Sequence, residues 1–258
     1  MLRFSANLSL LFTELPLLQR FELAKRAGFD AVEIQFPYEL SAEQIQTELD
    51  KHQLELVLFN VDADTLLQGG EGLAAVPEKK TQFRSAVEQT LSYANILRPG
   101  AINVLPGRCL QVGRLDAYRQ TLLSNLHYAA DRFAEIGIKA VFEAVNSYDM
   151  PGFIVDSSNG MLTVIEQVAH PNLFLQYDIY HMSRMGEDCA AFLRQHIDKI
   201  GHIQFADCPG RGHPGTGMVD FGQLFGLIAD SAYRGWVGAE YKPQGDADNS
   251  LDWLRRFS

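Results

Sequence analysis

Apolar and polar positions follow two periods along this chain, and the two take turns. Short runs dense in apolar, β-branched and aromatic residues predict strands at Arg3–Ser9, Ala31–Phe36, Leu54–Asn60, Ala101–Leu105, Ile138–Val145, Leu173–Asp178, His202–Ala206 and Trp236–Tyr241. Between them apolar residues recur at the spacing of a helix with one buried face. Those stretches are Pro16–Ala27, a helix opened by Ser41, Lys79–Leu97, Leu115–Ile136, Ser157–His170, Asp188–Lys199, Asp220–Asp230 and Ser250–Phe257. Gly28 closes the first helix, Pro37 stops the second strand, and Ser41 with Gln44 forms a capping box. The row Leu122, Leu126, Ala129, Ala130 and Phe133 reads as one packing face, with His127 on the outer side or satisfying a helix contact. Val61–Pro77, rich in Gly and Asp, exceeds an ordinary connection and reads as a lid or binding loop.

Eight strand-then-helix units with no Ser/Pro-rich linker predict the α/β class. Runs such as Ile138-Lys139-Ala140-Val141-Phe142 fit a parallel sheet covered on both faces. A length of 258 residues suits a single (β/α)8 TIM barrel spanning 1–258. A doubly wound open sheet is the alternative.

Composition narrows the function. With 47% hydrophobic residues the chain builds a large core, which excludes disorder and fibrous repeats. The formal net charge of −10 opposes a role in neutralising phosphate backbones, so no nucleic-acid partner is expected. No run approaches the ~20 apolar residues of a membrane span. The N-terminal run has Arg3 as its one early cation and is interrupted by Asn7, Thr13 and Glu14, so it reads as strand and loop rather than signal peptide. Cys109, Cys189 and Cys208 lack metal-type spacing and point to unpaired thiols in a reducing, cytoplasmic setting. Trp236 and Trp253 suit core or interface, and a homo-oligomer stays open.

Chemistry in such a barrel collects at the carboxyl ends of the strands. Four consecutive strand ends carry Glu143, Asp178, Gln204 and Glu240, each about one βα repeat from the next. Any one of these residues alone reads equally well as a strand-end group paired with a nearby Lys or Arg. Three carboxylates converging in one mouth repel each other, and a divalent cation relieves that repulsion. The all-oxygen set suits Mg2+ or Mn2+ better than zinc. No glycine run for a nucleotide cofactor is present.

Asp178-Ile179-Tyr180-His181-Met182, Arg211-Gly212-His213-Pro214-Gly215-Thr216-Gly217 and Trp236-Val237-Gly238-Ala239-Glu240-Tyr241-Lys242-Pro243 resemble the hydroxypyruvate isomerase family. So do Phe4-Ser5-Ala6-Asn7-Leu8-Ser9 and Gly28-Phe29-Asp30-Ala31-Val32-Glu33. The resemblance spans essentially the whole chain. It implies a xylose-isomerase-like barrel that interconverts hydroxypyruvate and 2-hydroxy-3-oxopropanoate, an aldose–ketose type isomerisation that belongs either to glyoxylate metabolism or to breakdown of a related acid. It also implies Glu143 and Glu240 as acid/base pair and metal ligands, with Asp178 and Gln204 completing the metal set and the enediolate stabilised by the metal. Related sugar epimerases carry His in place of Gln204, which points away from them. Pro77-Glu78 departs from the Pro-Gly expected in the loop.

An anionic 2-oxo acid needs cationic partners. The candidates are His181, Arg211, Lys242 and Arg108; Lys242 reads equally as the partner of a nearby acid, and Arg108 reads more as an ordinary charge. Glu33, Asn7 and Asn60 lie near strand ends and read as supporting or structural. Competing functions are isomerisation of a longer acid such as 2-oxotetronate or of a sugar, a phosphodiesterase resembling endonuclease IV, and a non-catalytic binding module. The nuclease needs a richer His/Asp/Glu set and a basic surface.

Overall fold

The strand runs are buried on both faces, as a parallel sheet wrapped by helices requires. The computed structural model describes residues 2–244 and 249–257. Its strands are β1 Arg3–Asn7, β2 Ala31–Ile34, β3 Glu55–Asn60, β4 Ala101–Val104, β5 Lys139–Glu143, β6 Leu173–Asp178, β7 Ile200–Phe205 and β8 Trp236–Ala239. They pair in chain order, all parallel, into a closed barrel. β8 returns to β1 with Phe4 opposite Val237 and Ala6 opposite Ala239, so the open-sheet alternative is excluded.

The helices are α1 Leu17–Arg26, α2 Ala42–His52, α3 Lys80–Leu97, α4 Leu115–Ala134, α5 Ser158–Val168, α6 Ile179–Arg184, α7 Cys189–His196, α8 Phe221–Asp230 and α9 Asp252–Phe257. The Ser41–Gln44 capping box forms at the start of α2. The α4 row from Leu122 to Phe133 is buried, while His127 faces outward against Asp131. One helix is new relative to the sequence reading. β6 runs straight into α6 because the Asp178 side chain accepts from the Tyr180 backbone N–H and caps it. The long loop after β3 holds short 3-10 turns at Leu66–Gln68 and Pro77–Lys79, and Glu78 pairs with Arg114.

The core has two shells. Between strands and helices, Phe4, Phe205, Phe225 and Trp253 meet edge to face with ring centres 5.0–5.2 Å apart, so Trp253 is a core residue. Inside the barrel, Ala31, Val57, Leu58, Ala101 and Val141 form an apolar plug, with Phe174 and Trp236 packed on it. The polar interior side chains lie toward the carboxyl ends, where the loops open. The three cysteines are free. Among the described residues no helix is long and apolar enough to cross a membrane.

Candidate active site

Two polar layers fill the upper barrel. The lower is centred on Glu33, which is fully buried. Its Oε1 accepts from Ser5 Oγ at 2.7 Å and lies 2.8 Å from His202 Nε2. Its Oε2 accepts from Gln204 Nε2 at 2.8 Å and Asn7 Nδ2 at 3.4 Å. Burial alone would raise this carboxyl's pKa, but the His202 contact and the hydrogen bonds outweigh it and the net shift is downward. β8 contributes Gly238 here for a steric reason: a Cβ would stand 2.0 Å from Glu33 Oε1.

The upper layer holds the strand-end acids, all buried. Glu240 Oε1 accepts from Gln35 at 2.9 Å and Asn7 at 3.1 Å, and its Oε2 accepts from Arg211 at 2.5 Å. Glu143 accepts from Asn103 Nδ2 at 2.8 Å. Asp178 uses Oδ1 to cap α6, and its buried Oδ2 has no hydrogen-bond partner. Burial and then the Glu240 charge push Asp178 up to about 7. Burial, Glu240 and Asp178 together hold Glu143 well above the usual carboxylate range.

Such an arrangement invites a cation. Glu143, Asp178 and His181 bring ligand-capable atoms within 4.8 Å of one another, close enough to hold a metal ion. Of the other two expected ligands, Gln204 stands opposite Asp178 in the β6–β7 register with its Oε1 already accepting from Gln176 at 2.6 Å, and Glu240 lies outside the clustered group. The Asp178 oxygen left without a hydrogen bond and the mutually repelling carboxyls fit a hard divalent ion. Glu143, His181, Arg211 and Glu240 line a cavity of about 80 Å³ walled by Phe36, Leu105, Val145 and Met150. At roughly 10–15 Å³ per water, that is room for a small molecule of a few heavy atoms.

Of the four expected anion-binding residues, two reach this cavity. Arg211 does so from the loop after β7, with a backbone φ of 54°. Its guanidinium lies 5.1 Å over the Tyr180 ring, and its buried Nε has no partner. Burial lowers its pKa less than Glu240, Asp178 and Glu143 raise it, so it stays charged. Asp207 shapes that loop: its carboxylate accepts from the backbone N–H groups of Cys208, Gly215, Gly217 and Val219. His181 also lines the cavity, but not as the expected cation. Burial and then the Arg211 charge hold its pKa well below the ordinary histidine value, so the ring is neutral.

Arg108 and Lys242 do not reach the cavity. Arg108 spends its guanidinium on the Pro151 and Gly69 carbonyls at 2.7 and 3.0 Å, tying two mouth loops together. Lys242 is exposed, and its backbone N–H donates to the Arg211 carbonyl at 2.8 Å. The sequence reading passed over Asn103, Gln35, Asn146 and Asp207. Asn103 carried a usable signal, since it sits near the carboxyl end of β4 beside Glu143's strand.

A family model described as a xylose isomerase-like TIM barrel matches residues 21–257. The chain is 41% identical over 254 residues to a hydroxypyruvate isomerase of Escherichia coli (strain K12), covering 98% of each. It is 33% identical to a 2-oxo-tetronate isomerase of Haemophilus influenzae, over 99% of each. A crystal structure of an AP endonuclease, family 2, from Brucella melitensis superposes with a TM-score of 0.95 at 35% identity, covering 100% of this chain and 99% of that one.

Proposed function

The chain belongs to the xylose isomerase-like TIM barrel family, and from that premise we propose that it interconverts hydroxypyruvate and 2-hydroxy-3-oxopropanoate. The observation that carries the reading is one small cavity holding Glu143, Glu240 and the half-buried Arg211 cation together. The hydroxypyruvate isomerase at 41% identity supports the same substrate.

The residues divide the work. Arg211, with its free Nε, receives the substrate carboxylate. One of the two glutamates removes a proton from the hydroxymethyl carbon and a proton returns at the neighbouring carbon, while the hydroxyl proton passes to the former ketone oxygen, so no net oxidation occurs. Asn103 orients Glu143, while Gln35 and Asn7 orient Glu240. The apolar walls limit water around the carbanionic species. Glu143, Asp178, Gln204 and Glu240 would hold a divalent ion, Mg2+ or Mn2+, which when bound supplies Lewis-acid polarisation of the substrate oxygens. The free thiols support a cytoplasmic location.

The four-carbon 2-oxotetronate is the second reading, favoured by the 2-oxo-tetronate isomerase relatives. Relative turnover on the three- and four-carbon acids separates the two. The cavity's size and the net charge of −10 weigh against DNA as substrate. The test is NMR of hydroxypyruvate in deuterated buffer with Mg2+ or Mn2+. Deuterium should enter as the aldehyde isomer forms; absence of exchange on this acid, with turnover of the four-carbon acid, would move the assignment to the latter.

A further inference from the structure

We infer that Asn146 is a positioning residue that locks His181 as a neutral ring with its proton on Nε2, so that His181 meets the substrate as an uncharged hydrogen-bond donor. Asn146 is fully buried in the loop after β5, and its amide orientation is fixed from one side. Its Oδ1 accepts from the Asp149 backbone N–H at 2.9 Å, and its Nδ2 donates to Asp149 Oδ2 at 3.0 Å. Asp149 is held in turn by the Tyr180 hydroxyl at 2.7 Å. The amide nitrogen's other hydrogen faces His181 Nδ1 at 2.7 Å, and the Asn146 backbone N–H faces the same atom at 3.3 Å.

Two N–H donors converging on Nδ1 leave no space for a proton there. The ring therefore carries its one proton on Nε2, which lies 3.5 Å from Asp178 Oδ2 at the cavity wall. This has two consequences. A protonated Nε2 is no metal ligand, which takes His181 out of the clustered group, leaves Glu143 and Asp178 there for a metal ion, and frees the ring for substrate. A neutral donor also adds no positive charge beside Arg211 and a bound cation. On the isomerase reading, on which this last role rests, the N–H faces the oxygen that gains negative charge when the neighbouring carbon loses its proton.

The test reads the tautomer without substrate: long-range proton–nitrogen NMR of the histidine side chains in protein supplied with Mg2+, using His181→Gln to assign the signal. A pyridine-type Nδ1 and a pyrrole-type Nε2 are expected at neutral pH. A pyrrole-type Nδ1, in either the other tautomer or the doubly protonated ring, overturns the inference. Two variants carry it into turnover. Asn146→Asp sets an acceptor against Nδ1, and should move the proton there and lower kcat/KM by on the order of 10²-fold. Asn146→Ala keeps the backbone donor, and should keep the tautomer and lose less. A purely packing role predicts the reverse order, because Asp is the closer isostere; that order, or an unchanged tautomer in Asn146→Asp, overturns the inference. Should hydroxypyruvate prove not to be the substrate, the spectrum of the unliganded protein still tests the lock.

Discussion

Glu33 and the Glu143–Asp178 pair are all buried acids inside one barrel, yet their surroundings are opposite. Glu33 has every lone pair engaged, by Ser5, His202, Gln204 and Asn7, and its pKa falls. Glu143 has one side-chain donor, Asn103, and Asp178 keeps an oxygen with no hydrogen bond, only His181 Nε2 at 3.5 Å and Arg211 at 4.0 Å; both are pushed up. A buried acid that the protein satisfies is part of the scaffold. One that it leaves short is held ready for something that arrives.

The largest effect expected from breaking this contrast is catalytic. Glu143→Gln and Glu240→Gln should each lower kcat by about 10²–10⁴-fold with the fold intact by circular dichroism; near-normal turnover in either removes it from the acid/base pair. Arg211→Ala takes away the half-buried cation of the cavity. A charged hydrogen bond contributes about 1.5–3 kcal/mol, so KM should rise on the order of 10–100-fold, read by steady-state kinetics. Asp207→Asn replaces an acceptor of four backbone N–H groups and should raise KM less, by roughly tenfold. Combined with Arg211→Ala it should add little, since it acts through Arg211; full additivity would refute that route. Lys242→Ala should leave stability within about 0.5 kcal/mol and KM within about twofold.

Much of this was legible in the sequence. The alternation of two hydrophobic periods prescribes eight βα units, and barrel closure adds only that β8 finds β1. α6 escaped because Ile179–Arg184 is too short to show a helical period, and its cap is Asp178, an acid already explained by the site. The four strand-end residues stood out because each lies about one repeat from the next. The amides that orient them did not, since an Asn or Gln in a strand looks the same whether it holds a carboxylate or faces water. Arg108 and Lys242 sit beside strand ends in sequence, but the course of their loops turns one toward Gly69 and Pro151 and leaves the other in solvent. His181 lies in the cavity but not as the expected cation, because its charge is set by burial and the Arg211 guanidinium, which its place in the sequence does not show.

The contrast between the two kinds of acid predicts stability shifts of opposite sign. Glu143, raised in the fold, stabilises in its protonated form, and that contribution is lost as pH rises through its folded pKa. Asp178 does the same between its ordinary 3.8 and about 7. Glu33, lowered in the fold, stabilises above its ordinary 4.5 and loses that contribution only as pH falls through its folded pKa. The most direct measurement is thermal unfolding of the metal-free protein near pH 8, comparing wild type with Glu143→Gln and Glu33→Gln. The account predicts a higher Tm for Glu143→Gln and a lower Tm for Glu33→Gln. A lower Tm for both would mean that Glu143 is as fully satisfied by the protein as Glu33 is, and would contradict it.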